Sequence, residues 1–213
     1  MRQIFLDTET TGLSPESGDR IVEIGCVEMV GRRLTGRTLH VYLNPERPNH
    51  EEAVKVHGLT DEFLADKPLF ASITDELLEF VDGAEIVIHN AGFDIGFLNA
   101  ELKRAGRPRF TEFTGVITDS LLMAREMFPG KANSLDALCR RLEVDNSSRS
   151  LHGALLDAGL LAEVYIRMTR GQESLMIEAD AAELAAHDAL LAEIDKASAG
   201  HTVWRASTAV PVA

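Results

Sequence analysis

The order of apolar segments along the chain constrains its fold more than any other feature. Three strand-like segments come first, at residues 2–7, 20–30 and 34–43, and the short connection at 31–33 joins the last two as a hairpin. Helices and strands then alternate, with helices at 72–81 and 95–105 and strands at 85–88 and 115–118. Strands followed by this alternation predict an α/β fold, in which a mixed sheet is flanked by helices.

The chain changes character after Gly171. Three more helical patterns, at residues 120–127, 135–142 and 154–168, complete the part before it. Residues 1–170 carry 19 basic and 27 acidic side chains, whereas residues 171–213 carry 2 and 7, mostly on an Ala-rich helical pattern. We therefore expect a folded body over residues 1–170 and a tail with a different role.

Composition excludes several functional classes. A net charge of −13 argues against broad electrostatic attachment to nucleic acid, although clustered carboxylates can hold cations that reverse the charge locally. The chain contains no run of about 18 apolar residues, so we expect no membrane span. Its two cysteines are too few for a disulfide framework. We expect a cytoplasmic protein.

Asp7 and Glu9 are the first candidates for chemistry. Residues two apart on a strand face the same side, and two adjacent carboxylates repel each other unless a proton or a metal intervenes. An isolated pair of this kind is usually a solvated strand end. Here the pair ends an apolar strand and a Thr-Thr-Gly turn follows, which is where ligands bind in α/β sheets.

Two further acids and a histidine lie in later segments. Asp94 follows the strand at 85–88 and could simply cap the next helix, as we also expect of Asp119. Asp157 lies on an otherwise apolar helical face, where an unpaired carboxylate is costly to bury, and His152 precedes that helix. Alone, His152 would be an ordinary surface histidine.

Together, these five residues have the composition of a two-metal hydrolase site. Hard divalent cations prefer carboxylate oxygens, and paired cations stabilise both the attacking and the leaving oxygen of a displacement. A histidine can accept a proton from the attacking water because its ordinary pKa is close to neutral.

The same segments resemble a known family. DTETTG at residues 7–12, HNAGFDIGF at 89–97 and HGALLDA at 152–158 resemble the three exonuclease motifs of the DEDD superfamily, in its histidine-bearing branch. RRLTG, HVYLNP, VHGLTDEFL, FPGKANSLDALCRRLEVDN and AEVYIRMT extend the resemblance over residues 2–170 to the proofreading epsilon subunits of bacterial DNA polymerase III.

This resemblance implies a ribonuclease H-like fold and hydrolysis of the 3′-terminal DNA phosphodiester, which releases nucleoside 5′-monophosphates. It implies two divalent cations, Mg²⁺ or Mn²⁺. Asp7, Glu9 and Asp157 would hold the first cation, Asp7 would bridge to the second, and Asp94 would bind the second mainly through water. His152 would be the general base.

The resemblance also assigns residues to the DNA 3′ end. Asp7, Glu9 and Asp157 would meet the substrate, as would residues of a nucleotide pocket: Thr8, Thr10, Leu13, Glu52, His57 and Phe93. Without the resemblance, Glu52 and His57 would be read as ordinary loop residues. An aromatic side chain at position 93 is equally typical of a protein core.

The tail resembles partner-binding segments. Residues 182–213 would form a tail that docks on the catalytic alpha subunit, with apolar anchors at Leu184, Leu191, Ile194 and Trp204. A terminal helix that folds back on the body is the alternative. In the short linker at 171–181, Gln172, Leu175 and Ile177 resemble a sliding-clamp peptide. A small third core subunit is a further possible partner.

The linker departs from the family pattern, because only residues 178–181 separate the two partner-binding elements where a long Gln-rich linker is usual. That brevity puts simultaneous clamp and polymerase contact in question. Two other functions remain open. One is a free-standing exonuclease on RNA or single-stranded DNA, which would need no such tail. The other is an inactive scaffold, which would not need all five site residues.

Overall fold

The computed structural model describes residues 1–147 and 151–170, which build a five-stranded mixed sheet. The strands are β1 (Arg2–Thr10), β2 (Ile21–Val30), β3 (Arg33–Tyr42), β4 (Glu85–Ile88) and β5 (Ile117–Asp119). Their spatial order is β3-β2-β1-β4-β5. The first three strands pair antiparallel, while β1, β4 and β5 run parallel. The predicted α/β fold is confirmed.

Seven helices lie in the described residues. They are α1 (Glu51–His57), α2 (Asp61–Leu64), α3 (Phe70–Val81), α4 (Ala91–Arg104), α5 (Ser120–Met127), α6 (Leu135–Leu142) and α7 (Ala154–Met168). Short 3-10 turns occupy Pro15–Ser17 and Phe110–Glu112. None of the described helices is both long enough and apolar enough to cross a lipid bilayer.

Some element bounds differ from the sequence predictions. α1 and α2 span 7 and 4 residues, too few for a helical period to emerge from the sequence, and neither helix was predicted. α4 begins at Ala91, ahead of the predicted 95, because the distant Asp119 carboxylate accepts the backbone N–H groups of Asn90 and Ala91 at its start. β1 continues through Asp7 and Glu9 to Thr10, so both acids lie within the strand.

The core lies in two layers, one on each face of the sheet. Ile4 and Leu6 of β1 point towards α3 and α4, and the intervening Phe5 points towards α6 and α7. This alternation follows from the two-residue period of a strand. Full burial of such side chains contributes about 1.5–3 kcal/mol each, so both layers hold the sheet firmly.

The packing also brings the candidate residues to one edge of the sheet. The parallel strands β1, β4 and β5 end at the same edge, which is where Glu9, His89 and Asp119 lie. The start of α7 lies directly on β2 because residue 25 is glycine: a Cβ there would be 2.2 Å from the backbone of Ala154 and Leu155. α7 therefore presents Asp157 to the end of β1.

The tail lies outside the described residues. This part of the chain includes the predicted clamp residues Gln172, Leu175 and Ile177 and the docking residues Leu184, Leu191, Ile194 and Trp204.

Candidate active site

Three of the predicted residues converge from β1 and α7. One ligand atom from each of Glu9, His152 and Asp157 lies within 4.8 Å of the other two. The carboxylates of Glu9 and Asp157 belong to residues that are only 9% and 3% exposed. Asp7 lies on the same side of β1 as Glu9 and pairs with Gly25 of β2.

His152 is oriented by contacts on both sides. Its Nδ1 lies 3.3 Å from Oδ2 of Asp157, and its backbone N–H donates to the carbonyl of Val56 at 3.1 Å. Nearly half of the imidazole remains exposed. A histidine held by a carboxylate at Nδ1 presents Nε2 as its basic atom, so the ring can accept a proton from water.

Asp94 is held against β1. Its Oδ1 accepts hydrogen bonds from the backbone N–H of Thr8 at 3.1 Å and from the Thr8 hydroxyl at 2.7 Å. Asn90 occupies the N-cap position of α4, and Asp94 lies within the first turn. Burial raises the pKa of Asp94 to about 7, even though the Thr8 hydrogen bonds oppose this effect.

Asp119 has a different environment, as predicted. Its carboxylate accepts from the backbone N–H groups of Leu121 and Leu122, which caps α5, and from those of Asn90 and Ala91 at the start of α4. These bonds span 2.9–3.3 Å and use both carboxylate oxygens. Asp119 therefore joins two helix starts behind the candidate site.

The donor set fits divalent cations. Glu9, Asp94 and Asp157 are buried carboxylates at the end of one sheet, and Asp7 is a fourth acid on the same strand face. Buried carboxylates close together are costly unless a proton or a cation compensates their charge. Oxygen ligands of this kind suit Mg²⁺ and Mn²⁺ better than softer metals.

A cavity of about 710 Å³ opens beside Glu9. All the residues predicted to line a nucleotide pocket lie in its wall: Thr8, Thr10, Leu13, Glu52, His57 and Phe93. Glu52 is exposed and pairs with Lys55 at 2.6 Å, whereas Phe93 also packs against the core and lies 4.9 Å from the Phe97 ring. Phe93 therefore lines the cavity and also packs against the core.

His57 is a neutral hydrogen-bond donor in this wall. Its Nδ1 accepts from the Leu59 backbone N–H at 3.0 Å, which leaves the ring proton on Nε2. Burial lowers the pKa of His57, so the ring stays neutral at pH 7. Its Nε2 is buried, and an interaction with the backbone of Thr10 opposes the effect of burial on the pKa.

Asp19 is a site residue that sequence reasoning missed. Its buried carboxylate accepts from Thr11 at 3.2 Å, Ser14 at 3.1 Å, Arg47 at 3.0 Å and His50 at 3.1 Å. Burial opposes ionisation, but these partners together lower the pKa of Asp19. Asp19 joins the loop after β1 to the loop before α1, which are two walls of the cavity. Its place in a turn-like segment gave no signal of this role.

Comparisons with known proteins agree with this geometry. The RNase T family model, described as an exonuclease, matches residues 4–165. The DNA polymerase III subunit epsilon of Escherichia coli strain K12 is 49% identical and aligns with 96% of this chain and 98% of its own. The same-named protein of Pasteurella multocida is 54% identical, over 83% of this chain and 72% of its own.

Two solved structures share the fold. Exonuclease X in complex with 5′ overhanging duplex DNA superposes with a TM-score of 0.61 at 26% identity, over 78% of this chain and 90% of its own. The nuclease domain of 3′hExo, a DEDDh family member bound to rAMP, has a TM-score of 0.67 over 78% of this chain and 90% of its own. Its 17% identity supports the fold alone.

Proposed function

Because the chain belongs to the exonuclease family, and within it to the epsilon subunits of DNA polymerase III, we propose that it proofreads DNA as a 3′–5′ exonuclease subunit of the replicative polymerase. The convergence of Glu9, His152 and Asp157 beside the 710 Å³ cavity carries this proposal. The products would be nucleoside 5′-monophosphates.

The carboxylates would hold two divalent cations, Mg²⁺ or Mn²⁺. Asp7, Glu9 and Asp157 would bind one ion, and Asp7 and Asp94 the other. Bound cations supply charge stabilisation and an activated water in such sites. The buried hydrogen bonds from Thr8 hold the Asp94 carboxylate against β1, which supports this role.

His152 would be the general base. Its Nδ1 lies 3.3 Å from Asp157 Oδ2, which leaves Nε2 to take the proton from the attacking water. The exposed face of the ring then allows the proton to pass to bulk solvent.

The cavity would bind the terminal nucleotide. His57 would contact the terminal nucleotide through its neutral ring, and Phe93 would pack against the base or sugar. Thr8, Thr10, Leu13 and Glu52 would complete the wall. Asp19 would keep the two loops of this wall at a fixed separation.

The proposal also assigns partner-binding roles to the linker and the tail. Residues 1–170 would be the exonuclease domain, residues 171–181 a linker with a clamp-binding peptide, and residues 182–213 the segment that docks on the catalytic alpha subunit. The identity to the E. coli relative, which extends over 96% of this chain, supports membership of the polymerase core. A sliding clamp and a small third subunit are further proposed partners.

A primer assay tests the proposed activity. The full chain is incubated with Mg²⁺ and 5′-labelled primers of DNA or RNA, whose 3′ ends are paired or mispaired with a template. We expect stepwise shortening of DNA that is faster from the mispaired end. Preferential degradation of RNA would instead identify a free-standing ribonuclease. No shortening of either primer would leave the scaffold function.

A further inference from the structure

A second cavity, of about 470 Å³, lies at the carboxyl ends of β4 and β5. Its wall includes His89, Arg125, Gly130, Lys131, Asn133 and Ser134, and we call it the α5–α6 pocket. None of these residues has a part in the proposed function above.

The pocket carries positive charge without a protein counter-ion. Within residues 1–147 and 151–170, the side chains of Arg125 and Lys131 form no ion pair or hydrogen bond, and both are exposed. Other arginines of this acidic chain are paired: Arg20 with Glu101, Arg47 with Asp19 and Arg107 with Asp75. Two uncompensated cations in one concave wall are therefore available to an anion.

The polar groups around the two cations do not neutralise them. Asp119 is a nearby acid, but its carboxylate accepts backbone N–H groups at the starts of α4 and α5, and within the described residues it forms no ion pair with Arg125 or Lys131. His89 is fixed by a 2.9 Å contact between its Nδ1 and the Ser120 hydroxyl. Ser134 caps α6, whose positive end faces the same loop.

The pocket is adjacent to the candidate active site. His89 directly follows β4 and lines the α5–α6 pocket, while Phe93, four residues later, lines the nucleotide cavity. Asp94 lies in the same helical turn as Phe93, so both cavities open at the edge of the sheet that carries the carboxylates. A DNA strand approaching these acids needs cationic contacts, because phosphates and carboxylates repel each other.

We propose that the α5–α6 pocket binds a backbone phosphate of the substrate strand upstream of the scissile bond, with Arg125 and Lys131 as its ligands. The inference rests on the proposed exonuclease function. The DNA strand would then run along this edge of the sheet. Its 3′ nucleotide would lie in the larger cavity, its scissile phosphate at the carboxylates and an upstream phosphate in the α5–α6 pocket.

The test compares two double variants of the full chain. R125Q/K131Q removes the pocket charges. R33Q/K103Q removes one arginine and one lysine charge that line neither cavity, since Arg33 begins β3 and Lys103 lies in the last turn of α4. Each protein hydrolyses two substrates with Mg²⁺. One is a single-stranded oligodeoxynucleotide, and the other is the p-nitrophenyl ester of thymidine 5′-monophosphate, which has no upstream phosphate.

For R125Q/K131Q, we expect KM for the oligonucleotide to rise about tenfold relative to KM for the ester. The slope of log KM against log salt should fall by about 0.7, since one phosphate contact on a single strand contributes about that much. R33Q/K103Q should keep the wild-type ratio. The inference would be overturned by an equal rise in oligonucleotide KM in the two double variants, or by an equal rise in KM for both substrates in R125Q/K131Q.

Single uncharged methylphosphonate linkages then locate the phosphate. One upstream position should raise KM for the wild type and have no further effect in R125Q/K131Q, because the removed charges interact. If the effects of the linkage and of R125Q/K131Q on KM were additive at every linkage position, phosphate binding in the α5–α6 pocket would be refuted. A wild-type protein that hydrolyses neither substrate would instead refute the exonuclease function itself.

Discussion

Gly25 controls the position of α7 relative to β1, which makes Gly25→Ala a direct test of the site geometry. A Cβ at residue 25 would lie 2.2 Å from backbone atoms of Ala154 and Leu155, whereas ordinary contacts begin at 3.4 Å. α7 must therefore retreat by about 1.2 Å, the difference between these distances. The movement carries Asp157 and His152 away from Glu9.

The cost should fall mainly on catalysis. A misplacement of about 1 Å can reduce turnover about 100-fold, and we expect that loss in kcat for an oligodeoxynucleotide. Overpacking costs about 1–3 kcal/mol, which corresponds to about 2–12 °C in Tm for a chain of this size. Circular dichroism during heating measures the loss of stability separately from the loss of kcat.

Gly159→Ala is the matched control, because a Cβ there meets no atom within 4 Å and α7 need not move. This variant should keep wild-type kcat and gain up to about 1 kcal/mol of stability from its helix propensity. Wild-type kcat in Gly25→Ala would refute the claim that the contact between β2 and α7 sets the catalytic geometry.

Three more predictions concern individual groups. Thr8→Val removes the 2.7 Å hydrogen bond from the Thr8 hydroxyl to Asp94 and should lower kcat at limiting Mn²⁺ about tenfold. Thr8→Ser keeps the hydroxyl, so its kcat should stay within twofold of the wild type. Equal curves of kcat against Mn²⁺ concentration for the two variants would exclude this hydrogen bond from cation binding. The pKa of Asp94 is raised to about 7 from 3.8, so protonation of this carboxyl stabilises the folded state. Tm of the metal-free protein in EDTA should therefore fall as the pH rises from about 4 to about 7. Asp94→Asn should flatten that fall, and an unchanged pH dependence of Tm would show that another group causes it. His152→Gln should lower kcat at least 100-fold with little change in KM and should remove the acid limb of the pH–rate profile; an intact limb would exclude the general-base role.

The sheet and the acid pair were predictable because they depend on local periodicity. Alternation in β2 and β3 defined the hairpin, and the two-residue period of β1 placed Asp7 and Glu9 on one side of a strand. The parallel strands then bring later segments to the same edge. Asp94 was harder to place: its position before a helix suggested an N-cap, and only tertiary packing makes it a hydrogen-bond partner of Thr8.

Long-range contacts and short elements were not readable from the sequence alone. α1 is seven residues long, so the wall containing Glu52 and His57 was expected only from the family resemblance. The four contacts of Asp19 join segments up to 31 residues apart, and no local pattern encodes them. The close approach permitted by Gly25 likewise depends on α7, more than a hundred residues further along the chain.

The central claim is that buried carboxylates at this sheet edge support removal of nucleotides from a DNA 3′ end. The most direct measurement is mononucleotide release from a 5′-labelled DNA primer with a mispaired end, in Mg²⁺, by the wild type, Asp157→Asn and the exposed-site control Asp66→Asn. We expect one-nucleotide steps and nucleoside 5′-monophosphates from the wild type and the control, and a loss of at least 1,000-fold in Asp157→Asn, since several kcal/mol of charge stabilisation disappear. Asp157→Asn with wild-type release would contradict the account.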